Sequence, residues 1–209
     1  MSKKQLDLWK PFCHIERNHR NNFNSYGFKR TIQIGDVNRL SARYTLAYDF
    51  ESINVSNMQN TTIKGYSSLL RCLLTWGVIE SYYELFPNST GGIAFFYNYN
   101  LDKKDLLLSK LREIPDTDKL YQFIQNDKNT NPTHKENITL FLNGNNCNPS
   151  YLLSGIRHVF GHGILTGNVD KINTIQLEKI SYLLRDFFLD LVNEHFTQTV
   201  KNHQNFNSL

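Results

Sequence analysis

The sequence has few of the features that mark export, membrane insertion or covalent cross-linking. Its 209 residues include only three cysteines, Cys13, Cys72 and Cys147, which are far apart and form no C-x-x-C pair. An odd number of scattered cysteines argues against a disulfide scaffold and against a zinc site built from cysteines alone. No apolar run approaches the roughly 20 residues that cross a bilayer, and no signal-peptide core follows the basic N-terminus. We therefore expect a cytoplasmic protein with no membrane span.

A strong charge of either sign is also missing, since the formal net charge is only +4. Hydrophobic residues make up 40% of the chain and charged residues 20%, and there are 14 Phe and 11 Tyr. This composition lies outside the range of disordered chains, which have low hydrophobicity and high charge. The length fits one domain of ordinary size, so we predict a single globular domain over residues 1–209.

The positive charge is concentrated near the N-terminus. Residues 1–50 contain nine Lys or Arg and four Asp or Glu, a net charge of +5. Basic and aromatic residues alternate there, which suits phosphate contact and base stacking, but solvated charges around core aromatics would give the same pattern. We predict that residues 1–65 form a basic extension packed on the main domain. Both interpretations of its basic and aromatic residues stay open. The residues concerned are Lys10, Arg17, Arg20, Lys29 and Arg30, with Phe12, Phe23, Tyr26 and Phe28.

Hydrophobic periodicity predicts a mainly α fold, an antiparallel helical bundle. Apolar residues recur at helical spacing from Ser67 to Phe86, where Pro87 ends the pattern. Further helices are predicted at Asp102–Ile114 and Thr117–Gln125. Segments rich in β-branched and aromatic residues predict a few short strands, namely Lys29–Ile34, Gly92–Tyr99 and Asn137–Leu142.

The C-terminal third carries the clearest local signals. Asn148 can cap a helix that begins at Pro149, because proline suits the first helical turn. This helix should run to about His162, with Gly163 as the left-handed residue that ends it. A second long helix is predicted from Thr174 to Thr197, and the short connection makes the two antiparallel.

The helix that ends near His162 separates into two faces on a helical wheel. One face is apolar, and the other carries an unusual set of side chains for a solvated surface. Gly155 and Gly161 each weaken a helix by up to about 1 kcal/mol relative to alanine, so we expect something to approach them closely. The unusual face consists of Ser154, Arg157, His158, Gly161 and His162.

The segment Arg157-His158-Val159-Phe160-Gly161-His162, followed by Gly163 and a long amphipathic helix, resembles the R-x4-6-H signature of the HEPN superfamily. The resemblance covers about Asn148 to Phe196. It implies an α-helical bundle that dimerises so that two motifs form one composite site. It also implies a ribonuclease without metal or other cofactor, acting as a toxin, in phage defence or in RNA processing. Arg157 and His162 are then the catalytic residues, and His158 occupies the polar position after the arginine.

The chemistry of these residues suits RNA cleavage by attack of the 2′-OH. An imidazole can serve as base or acid near neutral pH, and a guanidinium pairs with phosphate oxygens while staying charged. Arg157 and His162 lie about 140° apart on a straight helix, so one chain does not aim both at the same point. We predict a homodimer in which the face containing Ser154, Arg157, His158 and Gly161 packs against its copy.

Two other interpretations stay open. His158 and His162 have the i, i+4 spacing of zinc ligands, but the general base of H-E-x-x-H is missing, and His134, His195 and Cys147 are only candidates for a third ligand. Alternatively, the domain binds RNA or a partner protein without catalysis, for example an antitoxin such as a minimal nucleotidyltransferase, as the resemblance allows. Glu80 is a polar break in an apolar helix and a candidate supporting residue that faces the motif.

Overall fold

The computed structural model describes residues 5–19, 23–87, 101–168 and 172–208. We number the eight α-helices of these ranges in chain order: α1 (Trp9–Asn18), α2 (Ile34–Asp49), α3 (Asn60–Tyr83), α4 (Leu101–Glu113), α5 (Thr117–Asn126), α6 (Pro132–Leu142), α7 (Pro149–Gly161) and α8 (Thr174–Lys201). Two short 3-10 helices lie at Phe23–Tyr26 and Phe206–Ser208. Within the same ranges, no helix combines the length and the apolar character that a membrane span requires.

The mainly α prediction is confirmed, but the strand predictions that can be checked are wrong. Lys29–Ile34 forms turns and the first residue of α2, and Asn137–Leu142 is the second half of α6. In α6, Ile138 and Phe141 are three residues apart and both buried, so their apolar side chains serve one helical face. The third predicted strand, Gly92–Tyr99, lies outside the described residues.

Helix α3 is the centre of the bundle, because α2, α7 and α8 all pack mainly against it. It starts at Asn60, seven residues before the predicted start. Arg71 ties it to α8: its side chain is fully buried and donates hydrogen bonds to Ser181 Oγ at 2.7 Å and to the Glu51 carbonyl at 2.6 Å. The short connection predicts α7 and α8 as an antiparallel pair, but both pack mainly on α3 rather than on each other.

The loop after α7 is held against α3 by two glycines. A Cβ at Gly65 would lie 1.7 Å from the carbonyl oxygen of Gly167, and one at Gly167 would lie 2.8 Å from the carbonyl oxygen of Thr62. No side chain fits into such a contact, so only glycine allows this approach. The C-terminal end of α7 is thereby fixed beside the first turns of α3.

The N-terminal region belongs to the same core as the other helices. The four aromatic residues of the basic segment are all buried, with at most 7% of their surface exposed. The ring of Phe12 packs 5.7 Å from that of Phe196 in α8. These rings are therefore not available for base stacking, and the interpretation as core aromatics is the correct one. The four residues are Phe12, Phe23, Tyr26 and Phe28.

Candidate functional site

The motif helix α7 has the two ends that the sequence predicts. The Asn148 side chain accepts a hydrogen bond from the amide of Ser150 at 3.0 Å, and Pro149 stands in the first turn. At the other end, Gly163 has a φ of +72°. The amide of Gly163 donates a hydrogen bond to the carbonyl of Phe160, and the amide of Ile164 donates one to the carbonyl of Val159, both at 2.9 Å. This pair of bonds is the Schellman motif that ends many helices. His162 follows the last helical residue and is exposed.

The two faces of α7 separate as the helical wheel predicts, with one correction. Leu152, Ile156 and Val159 are fully buried, whereas Arg157 and His158 are partly exposed. Ser154 was expected on the face that packs against a second copy, but only 6% of it is exposed. Its hydroxyl points into the chain, because Ser154 Oγ lies 2.9 Å from Nε2 of His134. Ser154 is therefore not available to a second copy.

The two glycines of α7 have different surroundings. A Cβ at Gly155 would lie 3.2 Å from Cγ2 of Ile124 in α5 and 3.6 Å from Cδ1 of Ile138 in α6. This glycine allows close packing inside the chain, as predicted. At Gly161, by contrast, no atom of the described chain lies within 4 Å of the Cβ position, and the residue is exposed. Packing within the chain therefore does not explain Gly161.

Arg157 extends towards α3, where it meets Glu80. One guanidinium nitrogen lies 3.7 Å from Glu80 Oε1, and the two side chains are 41% and 38% exposed. The same carboxylate oxygen accepts a hydrogen bond from the indole nitrogen of Trp76 at 2.6 Å. Glu80 thus faces the motif, as the sequence suggested, and it is itself held in place by Trp76.

A groove of about 320 Å³ opens beside this ion pair, between α2, α3 and α7. Arg43, Glu80 and Arg157 supply its charged groups, and apolar side chains of α2 and α3 supply the rest. Arg43 also lines a larger neighbouring groove of about 620 Å³, which contains Lys29 and Arg39. The larger groove also contains Asp36 and Glu84, and Asp36 pairs with Arg39. The surface that leads away from Arg157 therefore carries charges of both signs.

The two motif histidines lie next to each other at the end of α7. Their rings meet edge to face, with centroids 4.6 Å apart. Nε2 of His158 lies 3.0 Å from the carbonyl oxygen of Asn129, in the loop between α5 and α6. A carbonyl oxygen only accepts, so this nitrogen carries the hydrogen. His158 is thereby oriented by the loop, and the neighbouring His162 stays exposed.

Sequence reasoning missed the role of His134, which had been considered only as a metal ligand. His134 is 8% exposed, and Asn131 Oδ1 lies 2.9 Å from its amide nitrogen and 2.8 Å from its Nδ1. Since Nδ1 donates to Asn131, Nε2 accepts the hydrogen bond from Ser154. Burial, with a smaller effect of nearby His158, lowers the pKa of His134 to about 4. His134 therefore stays neutral near pH 7 and fastens α6 to α7.

The described residues do not assemble the metal site that the spacing of the two histidines allowed. No group of three or more His, Cys, Asp or Glu side chains in the described ranges is placed to hold a metal ion. Both ring nitrogens of His134 are occupied by hydrogen bonds, and the Nδ1 of His195 bonds to the hydroxyl of Tyr82 at 2.6 Å. Cys147 is buried. These three candidate ligands do not complete a metal site with the motif histidines.

No protein-family model, curated protein or solved structure matches this chain. The resemblance to the HEPN superfamily therefore depends on the Arg157–His162 motif and on its position in a helical bundle.

Proposed function

We propose that the protein is a metal-independent endoribonuclease of the HEPN type, with a composite site formed by two copies of the chain. One observation carries the proposal. Arg157 and His162 stand at the accessible end of an otherwise buried helix. On the helical wheel the exposed Gly161 lies between them, about 40° from Arg157 and about 100° from His162. A second helix can approach closely at a glycine. Two-fold packing would then bring two arginines and two histidines around one phosphate.

In the proposed reaction, His162 takes the proton of the RNA 2′-OH, and the resulting oxygen attacks the adjacent phosphorus. Arg157 pairs with the non-bridging oxygens and stabilises the charge that develops on them. The 5′-oxygen takes a proton from water as its bond to phosphorus breaks, so one intact His162 is enough for the reaction. The products are one RNA that ends in a 2′,3′-cyclic phosphate and one that begins with a 5′-OH. His158 and Glu80 hold the reacting side chains in place.

A second candidate function is favoured by the partner that Arg157 already has. Glu80 occupies the guanidinium, and within one chain Arg157 and His162 diverge. These features suit a non-catalytic HEPN module that binds RNA or a partner protein, such as an antitoxin of the minimal nucleotidyltransferase type. Such a module would bind RNA without cutting it.

The two functions are distinguished by incubating purified protein with mixed RNA in excess EDTA. We expect the wild type to cut RNA and leave 2′,3′-cyclic phosphate ends, and an Arg157→Ala/His162→Ala double variant to leave the RNA intact. A substrate with 2′-deoxyribose should resist, because it lacks the nucleophile. If the wild type cuts nothing with or without divalent metals, the binding module replaces the nuclease. Zinc-dependent cleavage lost in His158→Ala but kept in Arg157→Ala would favour a metal site.

A further inference from the structure

The groove beside Arg157 contains features that cleavage of the phosphodiester bond does not require. Its volume of about 320 Å³ is near the lower end of the range for ligand sites, about 300–1,000 Å³. Leu46, Leu73 and Leu74 supply apolar walls, and Leu46 is 54% exposed. An exposed apolar wall next to the arginine that would hold the phosphate suits the flat face of a nucleobase.

Gly77 keeps this groove open. It lies in the interior of the 24-residue helix α3 and lines the groove. A glycine there weakens the helix by up to about 1 kcal/mol relative to alanine. A Cβ at Gly77 would meet no described atom within 4 Å, so packing inside the chain does not require glycine. A larger side chain at position 77 would instead fill part of the groove.

Two charged groups of the groove have hydrogen-bonding capacity left. Glu80 uses Oε1 for both Trp76 and Arg157, and its Oε2 has no hydrogen-bond partner within the described ranges. Arg43 is exposed and donates from one nitrogen to the hydroxyl of Ser81, which leaves most of its five N–H groups available. The groove therefore offers a carboxylate acceptor and a guanidinium donor above an apolar surface.

We propose that this groove is a nucleobase subsite that selects guanine next to the scissile phosphate. The proposal rests on the proposed function, because Arg157 would hold that phosphate. Guanine presents two N–H donors to a carboxylate, and its O6 and N7 accept from an arginine. No other RNA base combines these two edges. Glu80 and Arg43 would read the edges, while the three leucines contact the ring.

The test measures the affinities of 3′-GMP, 3′-AMP, 3′-UMP and 3′-CMP by calorimetry. All four carry the same phosphate, so differences among them report on the base. We expect the wild type to bind 3′-GMP at least tenfold more tightly than the other three. Gly77→Leu should fill the groove and remove that preference. Gly35→Leu is the matched control, because Gly35 is an exposed helical glycine in α2 that also has open space at its Cβ position and does not line this groove.

Glu80→Gln should also reduce the preference for 3′-GMP, because the amide has one acceptor oxygen, which Trp76 already uses, and an N–H2 donor in place of the second oxygen. Equal affinities for the four nucleotides, or an unchanged preference in Gly77→Leu, would overturn the subsite. RNA cleavage in EDTA is scored separately. If the protein cuts RNA but shows no preference for guanosine at a fixed position beside the cut, the guanine subsite is contradicted and the nuclease is not. If the protein binds 3′-GMP selectively but cuts no RNA, the nuclease function is contradicted and the guanine subsite is not.

Discussion

The motif helix α7 has two sides that differ in how they are built. Towards α3, Arg157 and Glu80 form a partly exposed ion pair beside an open groove. Towards α5 and α6, the buried His134 is bonded to Asn131 and Ser154. Partly exposed ion pairs contribute little to stability, whereas buried hydrogen-bonded groups are costly to disrupt. The first side is suited to binding and the second to holding the helix in place.

Substitutions on the two sides of α7 should therefore change different properties. Changes at Arg157 should alter activity and leave stability unchanged. Changes at His134 should alter stability first.

Arg157→Ala should reduce RNA cleavage by about 10²- to 10³-fold, because it removes a group that stabilises charge in the transition state. The free energy of unfolding should change by less than about 0.5 kcal/mol, as is usual for a surface position. Cleavage rates and urea unfolding of the same preparation check both expectations. Arg157→Lys is the matched control and should restore only part of the rate, since a single ammonium does not reproduce the planar fork. A fully active Arg157→Ala would contradict the assignment.

His134→Ala should lower the free energy of unfolding by about 2–4 kcal/mol, because it removes a buried ring and the hydrogen bonds that join α6 to α7. His158→Ala is the matched control on the same side. His158 is partly exposed and makes one hydrogen bond to the chain, so its loss should be much smaller. Urea unfolding of the two variants measures the difference. Equal losses would mean that His134 is not the residue that fastens the helix.

Acidification should destabilise the protein through His134. Its pKa is about 4 in the folded chain and about 6.5 for an unperturbed histidine. Between these values the unfolded chain binds the proton and the folded chain does not, so stability falls as the pH falls. The contribution is complete above about pH 6.5, and its loss by pH 4 amounts to about 3 kcal/mol. Urea unfolding at pH 7, 5.5 and 4 measures this dependence.

His134→Gln is the control for the pH dependence, because glutamine keeps polar hydrogen-bonding groups and does not titrate. His195 and His203 also have lowered pKa values and remain in the variant. The difference between the two pH profiles therefore isolates His134. Parallel profiles for the wild type and His134→Gln would contradict the buried neutral imidazole.

Glu80→Gln should change stability only slightly, as Arg157→Ala should. It removes an ion pair in which both side chains are more than one-third exposed, and such pairs contribute about 0–1 kcal/mol. The amide can still accept the hydrogen bond from Trp76. Urea unfolding should place the change within that range. A loss of several kcal/mol would show that the side facing α3 also holds the fold together.

The features predictable from the sequence are those that local chemistry determines. Asn148, Pro149 and Gly163 specify the ends of α7 through their own side chains and backbone preferences, and the structure confirms them. The strand prediction for Asn137–Leu142 failed because Ile138 and Phe141 satisfy a helical period once α6 packs on the core. Tertiary packing there overrides the preference of β-branched and aromatic residues for strands.

The candidate site was only partly predictable for the same reason. Arg157, His158 and Gly161 lie in one helix and His162 caps its end, so the helical wheel places them approximately. Glu80 was identified as a polar break in an apolar helix. The role of His134 depends on Ser154, which is 20 residues further along the chain, and no local pattern indicates that pairing. The exposure of Gly161 and the groove at Gly77 likewise emerge only once the helices are packed.

The most direct test of the composite site mixes two inactive variants. Arg157→Ala and His162→Ala are co-expressed with different affinity tags, and the mixed dimer is purified through both tags and assayed on RNA in excess EDTA. The mixed dimer contains one intact Arg157 and one intact His162 around the shared site. We predict that it recovers a measurable fraction of wild-type cleavage and produces 2′,3′-cyclic phosphate ends, while each variant alone remains inactive. A wild type that cuts RNA, together with a mixed dimer as inactive as either variant, would contradict the composite site.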